Sequence, residues 1–287
     1  MYEAKIIADS TNPVGDRLTT WELTYPRFVH AELMTHRMFS RNAASSRAIP
    51  TAKLMQRIEE HPGLPKWWGK NQSGMQAREE LQGDDLERVK SLWLSGRDDA
   101  LALAEQLHLG GLHKQIANRV LEPWMFITVI VSATEWGNWY HLRDDPNAQP
   151  EIAWVAREMR GLIEKSTPRE LKVGEWHVPY VVTDDRAHPL YVDRRETGGS
   201  KGSERYWKFL VKVSTARCAR VSYLTHDGVR DLGKDIELHD KLTESGHWSP
   251  FEHPAEADDG SGRHGNYFGW RQYRKQFKNE NFGRKMQ

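Results

Sequence analysis

Pro26 separates two hydrophobic periodicities that cannot belong to one element. Before it, Trp21, Leu23 and Tyr25 alternate with polar residues, the period of a strand with one buried face. After it, Phe28, Val29 and Leu33 share one side of a helix that Pro26 can begin, since its fixed φ and missing N–H cost nothing in the first turn. His36 and Arg37 then emerge at the far end of that helix. The segment that follows carries Ser40, Asn42, Ser45, Ser46 and Arg47. Hydroxyls, an amide and a planar guanidinium fork suit phosphate oxygens, although such clusters also make solvated turns.

The rest of the chain predicts an α/β (α+β) fold, an antiparallel sheet with several long helices. Residues 85–109 read as helical, with Leu86, Val89 and Trp93 on one side and Leu103 and Leu107 later. Pro123 can open another helix, in which the apolar run from Met125 to Val131 is too short to span a bilayer and reads as a core helix. Ile152, Val155, Met159, Leu162 and Ile163 keep helical spacing over 150–165. A further helix over 235–245 is stopped by Gly246. Gly- and Pro-rich residues 61–84 and the Gly/Ser stretch 196–204 read as surface loops or lids. The aromatic, basic residues 267–275 suit either a structural or subunit-contacting tail or a platform for flat ligands.

At 287 residues the chain can bury a substantial core. A formal net charge of +1 argues against a general nucleic-acid coat, so no nucleic-acid polymer is expected as partner. No apolar run reaches a membrane span and no secretory pattern opens the sequence, which points to the cytoplasm. The single cysteine, Cys218, excludes an internal disulfide and a cysteine-rich zinc site, and no metal site is expected.

Four motif blocks resemble one family. Residues 35–47, Thr-His-Arg-Met-Phe-Ser-Arg-Asn-Ala-Ala-Ser-Ser-Arg, match the Arg-His-Arg-x-x-Ser-x-Asn-x-x-Ser-x-Arg signature of the flavin-dependent thymidylate synthases at every position but the first. Gly246-His247-Trp248-Ser249-Pro250-Phe251-Glu252-His253 resembles the family's Gly-His-x-(Ser/Thr)-Pro-Phe-Glu-His block, and Ala219-Arg220-Val221-Ser222-Tyr223 its Ala-Arg-Val-Ser-Phe block. Leu142-Arg143 with Ala148-Gln149-Pro150-Glu151-Ile152 is similar to its Leu-Arg…Ala-Gln-x-Glu-Ile stretch. The family's order runs from the Ala-Arg-Val-Ser block through Gly-His…Phe-Glu-His into the signature. Here the first two blocks stand near the C-terminus, which reads as a circular permutation of one catalytic domain. Within 1–287 the expected parts are a strand and signature (20–60), a helical region (85–168), a joining segment (169–212), a flavin-site block (213–257) and a tail (258–287).

The resemblance implies a thymidylate synthase-complementing-protein-like fold and reductive methylation of a pyrimidine deoxynucleoside monophosphate. FAD, NADPH and methylenetetrahydrofolate would be the cofactors, and the sites would form between subunits of a homotetramer. Arg143 matches the arginine beside the uracil ring, where a fixed cation makes C5 more nucleophilic; the bland alternative is a helix-terminal arginine bridging two elements. His36, Arg37, Met38, Asn138, Ser222, His247 and Ser249 would border the flavin, whereas His253 suits a core histidine equally. Glu32, Ser45, Ser46, Arg47 and Asn118 fall at nucleotide-contacting positions. Cys218 precedes a block that needs no nucleophile, so a packed thiol is expected, against the thiolate that the other thymidylate synthase class uses.

The departures concentrate in the nucleotide half. Glu32 replaces a glutamine, Thr35 the first signature arginine, Ala43 a glutamate, Asn147 a histidine, and Asn118 (or its neighbour Arg119) stands where an arginine is expected. Fewer cations and an added carboxylate oppose the usual pose of dUMP. Three readings follow: dTMP from dUMP through substituted contacts; methylation or hydroxymethylation of another pyrimidine deoxynucleotide such as dCMP; or a catalytically silent nucleotide-binding subunit.

Overall fold

A computed structural model of the chain describes residues 1–187, 199–221, 230–260 and 262–281, without the side chains of 187 and 199–203. The strands are β1 (Glu3–Thr11), β2 (Arg17–Pro26), β3 (Ser40–Ala43), β4 (Phe126–Ala133), β5 (Arg169–Glu170), β6 (Trp176–His177), β7 (Ala255–Ala257), β8 (Arg263–His264), β9 (Tyr267–Phe268) and β10 (Trp270–Gln272). The helices are α1 (His30–Met34), α2 (Thr51–Glu60), α3 (Gly83–Leu109), α4 (Lys114–Ala117), α5 (Gly137–Arg143), α6 (Pro150–Ile163), α7 (Thr183–Ala187), α8 (Gly199–Arg220) and α9 (Leu232–Ser245).

The central sheet has the order β3-β4-β2-β1-β5 and is antiparallel except where β5 runs parallel to β1. The alternation at Trp21, Leu23 and Tyr25 does what it predicts. Those side chains, with Ile127, Val129 and Val131 of β4, form one face of the sheet against Ile152, Val155 and Met159 of α6 and Trp139 of α5. Pro26 ends β2, and a 3-10 turn (Arg27–Val29) leads into α1. α9 stops at Gly246, whose φ of 67° is the left-handed conformation that a Schellman-type end requires.

Three expectations change. The run from Met125 to Val131 is not a core helix: Phe126–Ala133 is strand β4, and Pro123 lies near the end of the 3-10 helix Asn118–Trp124. Its consecutive β-branched residues are buried on both faces of the sheet, so the alternation that identifies a strand is missing. On α3, Leu103 is exposed, and the small Ala100 and Ala104 make the close approach to Leu54 and Ile58 of α2. The Gly/Ser stretch is helical from Gly199 onward, because Tyr206, Trp207, Leu210 and Val211 give α8 a buried face that outweighs the poor propensity of its first turn. Residues 196–198 lie outside the described residues.

The second face of the sheet carries a polar seam beside apolar clusters around Ile130 and Leu18. Thr20 Oγ1 hydrogen-bonds to Ser132 Oγ (2.7 Å) and His177 Nε2 (2.8 Å), His177 Nδ1 to Ser10 Oγ (2.9 Å), and Ser132 Oγ to His253 Nδ1 (2.9 Å). Burial pushes both imidazoles down to about 3, so they are neutral bridges. The aromatic tail takes the structural role, since Tyr267 and Trp270 are fully buried beside Leu18 and Leu171. Among the described residues no helix is long and apolar enough to cross a membrane.

Candidate active site

The short α1 and the last turn of α5 deliver their polar residues to one place. Trp139 of α5 is buried edge-on against the His36 ring at 5.0 Å, His36 stacks on Phe39 at 5.5 Å, and Phe39 meets Trp136 at 4.6 Å. This aromatic packing brings Arg143, at the end of α5, against the end of α1. Arg143 Nε donates to His36 Nε2 (3.1 Å), Nη2 to Thr35 Oγ1 (3.0 Å) and to the Glu32 carbonyl (3.3 Å), and Nη1 pairs with the Glu32 carboxylate. Burial, reinforced by Arg143 and Arg41, holds the His36 pKa below its ordinary value. The ring is therefore neutral, accepting at Nε2 and protonated at Nδ1. Two of the departures, Glu32 and Thr35, thus contact the one arginine that resembles the base-activating residue.

A second junction centres on Asn42 in β3. Its Nδ2 donates to the Cys218 carbonyl at the end of α8 (2.7 Å), and its Oδ1 accepts from Ser249 Oγ (3.3 Å). The signature, the Gly-His block and the residue just before the Ala-Arg-Val-Ser block, the last two 207 and 176 positions from Asn42, meet at this carboxamide. The Cys218 thiol is fully buried and its pKa is pushed up by that burial, the setting of a packed thiol and not of a nucleophile.

The expected phosphate contacts lie along the 3-10 turn Ser46–Ala48. Ser46 Oγ is buried and donates to Glu122 Oε1 (2.6 Å), which also takes Arg119 Nη1 at 2.7 Å, while Arg27 Nε sits 3.1 Å from Glu122 Oε2. Burial works against ionisation of Glu122, but Ser46 and Arg27 prevail and hold its pKa below the usual carboxylate value. Asn118 is fully buried and donates to the carbonyls of Ser46 (2.8 Å) and Ile49 (2.9 Å), so its amide braces this turn. Arg47 is exposed and Ser45 half-buried.

Arg37, Met38, Asn138 and His247 are exposed, and Ser249 is half-buried. Ser222 lies outside the described residues. Sequence reasoning missed Glu122; its spacing of three from Arg119 within a turn was the available signal. A separate 620 Å3 cavity, walled by Trp176, Trp207, Val211, Tyr273 and Phe277, contains none of the expected site residues.

The family model for thymidylate synthase complementing protein matches residues 13–169. Two solved structures resemble the chain, both of the UMP/dUMP methylase PolB from Streptomyces cacaoi. The one bound with 5-Br UMP is 16% identical, covers 57% of this chain and 90% of its own, and has a TM-score of 0.47. The one bound with 5-Br dUMP is 20% identical, covers 52% and 67%, and has a TM-score of 0.43. No curated protein matches the sequence. Because the family model spans more than half of the chain and includes His36, Asn42 and Arg143, this protein belongs to the thymidylate synthase complementing protein family and is a methyltransferase-like enzyme.

Proposed function

We propose that the protein is a flavin-dependent enzyme, acting in the cytoplasm, that transfers a one-carbon unit from methylenetetrahydrofolate to C5 of a pyrimidine deoxynucleoside monophosphate and reduces it, dUMP giving dTMP. The observation that carries this reading is the 3.1 Å hydrogen bond from Arg143 to His36, which puts the candidate base-activating cation on the candidate flavin-site histidine across 107 positions.

Several of the residues that would hold a flavin are reachable from solvent. Arg37, Asn138 and His247 are exposed hydrogen-bonding groups for a ring edge of alternating N–H and C=O, and exposed Met38 offers it an apolar contact. FAD held there and recharged by NADPH would supply the reducing hydride. The chain's own residues orient and stabilise. Arg143 places a fixed cation where charge collects along the N3–C4 edge of the base as C5 forms its new bond. Phe39 and Trp139 pack against the His36 ring that receives the Arg143 Nε–H, which fixes the guanidinium through its imidazole partner. Ser45 and Arg47 hold the nucleotide phosphate, with Arg119 within reach of the same turn through Glu122.

The block order is best explained as a circular permutation. It is supported by a family match that ends at residue 169, while Ser249 of one displaced block and Cys218, just before the other, both meet Asn42. Met34, Met38 and Leu142, exposed and close in sequence to the Arg143 cluster at 44%, 43% and 47% accessibility, favour a site completed by another subunit of a homotetramer.

Incubation of dUMP with the protein, FAD, NADPH and methylenetetrahydrofolate, followed by mass spectrometry, should yield dTMP. A folded protein that neither binds FAD nor alters a pyrimidine nucleotide would overturn the reading in favour of a silent subunit.

A further inference from the structure

We propose that Glu32 makes the base pocket selective for a pyrimidine with an exocyclic 4-amino group, so that deoxycytidine monophosphate is preferred to deoxyuridine monophosphate. The inference rests on the proposed reaction and names its substrate. A guanidinium has five N–H donors. In Arg143, Nε–H is given to His36, both Nη2 hydrogens face Thr35 Oγ1 and the Glu32 carbonyl, and one Nη1 hydrogen goes to Glu32 Oε2. One Nη1 hydrogen is left over. Glu32 Oε1, the other oxygen of the carboxylate that Nη1 pairs with, accepts no hydrogen bond among the described residues, on a side chain 38% exposed. The cluster therefore presents one donor next to one acceptor.

The two bases answer this pair differently. Along its pairing edge cytosine offers two acceptors, O2 and N3, and then the N4 amino donor. Uracil offers an acceptor, a donor and an acceptor. Arg143 Nη1–H directed at N3 of cytosine places the Glu32 carboxylate at the amino group, at the end of the row. On uracil the single N–H stands between two carbonyls, so a carboxylate that reaches it is pressed against O2 or O4 with like partial charge. Thr35 cannot relieve that repulsion, because its hydroxyl hydrogen is given to the Glu32 carbonyl at 2.7 Å. Glutamine at position 32 keeps the shape and can turn either an amide oxygen or an NH2 toward the base.

Binding of dCMP and of dUMP to the FAD-supplemented protein, measured by isothermal titration calorimetry for the native chain and Glu32→Gln, tests this. The native chain should bind dCMP about tenfold or more tightly than dUMP, the effect of one hydrogen bond to a charged group, and Glu32→Gln should erase or reverse that ratio. Equal or tighter binding of dUMP by the native chain overturns the inference, and this arm stands even if the variant fails to fold. Product analysis of the same samples separates the two claims. Preferential dCMP binding without one-carbon transfer to either nucleotide sinks the reaction and keeps the selectivity; dTMP formation with preferential dUMP binding does the opposite. Binding of neither nucleotide overturns both.

Discussion

Arg143 spends its fork in three directions at once, on an imidazole, a hydroxyl and a carboxylate. Replacing it with alanine should lower turnover about 10²–10³-fold, the usual loss when one aligned electrostatic stabiliser is removed, while FAD binding persists. Lysine should rescue little, since a point charge on a flexible stem cannot serve three partners. Turnover within a few-fold of native for the alanine variant would remove Arg143 from the chemistry. The positions of Arg143 and His36 are legible from motif spacing. What spacing does not carry is that Glu32 and Thr35 turn toward the same guanidinium, because substitutions in one segment say nothing about which distant side chain they face.

The buried imidazoles belong to the elements they bridge, β1, β2 and β4 on one side and β6 and the turn at His253 on the other. His177 and His253 are held down to about 3 by burial, and His30, also by burial, to about 4. Each is neutral in the folded chain but takes a proton in the unfolded chain below its ordinary value of 6.5. Unfolding therefore consumes up to three protons, and stability, unaffected by these groups above 6.5, is lost as pH falls toward 4. The slope should approach about 4 kcal/mol per pH unit near pH 5, readable from urea unfolding at stepped pH. A flat stability profile between pH 6.5 and 4.5 would contradict the buried neutral assignment. At this scale the sequence is readable wherever one face of an element meets water or a loop: β2, α6 and α9 show their periods. β4 does not, being covered on both sides, and α8 is disguised by a Gly/Ser first turn whose helicity depends on packing further along.

Segments from three distant parts of the chain meet at Asn42, so the molecule needs its C-terminal layer seated before the signature loop is complete. Buried Arg217 helps lock that layer, pairing with Asp185 of α7 and Asp235 of α9 from its place on α8. If a second subunit covers Met34, Met38 and Leu142, light scattering should report an oligomer. Leu142→Glu should then release smaller species and reduce turnover at least about tenfold, as a charge buried in an apolar contact would. A monomer with full activity would show the site complete within one chain. The motif order announces that distant segments must converge, and His253 already reads as a possible core histidine, but the rest of the seam through which they do so is written in Ser10, Thr20, Ser132 and His177, which look like ordinary surface residues.

That seam also makes the molecule its own reporter. An imidazole N–H enclosed between Ser10 and Thr20 is shielded from bulk water and can exchange its hydrogen only when the layer above it lifts. A slowly exchanging, downfield ring-proton resonance from His177 would clock that opening directly, in a solution of the untouched protein and without any ligand, and the lifetime of the signal would measure how often the two layers part.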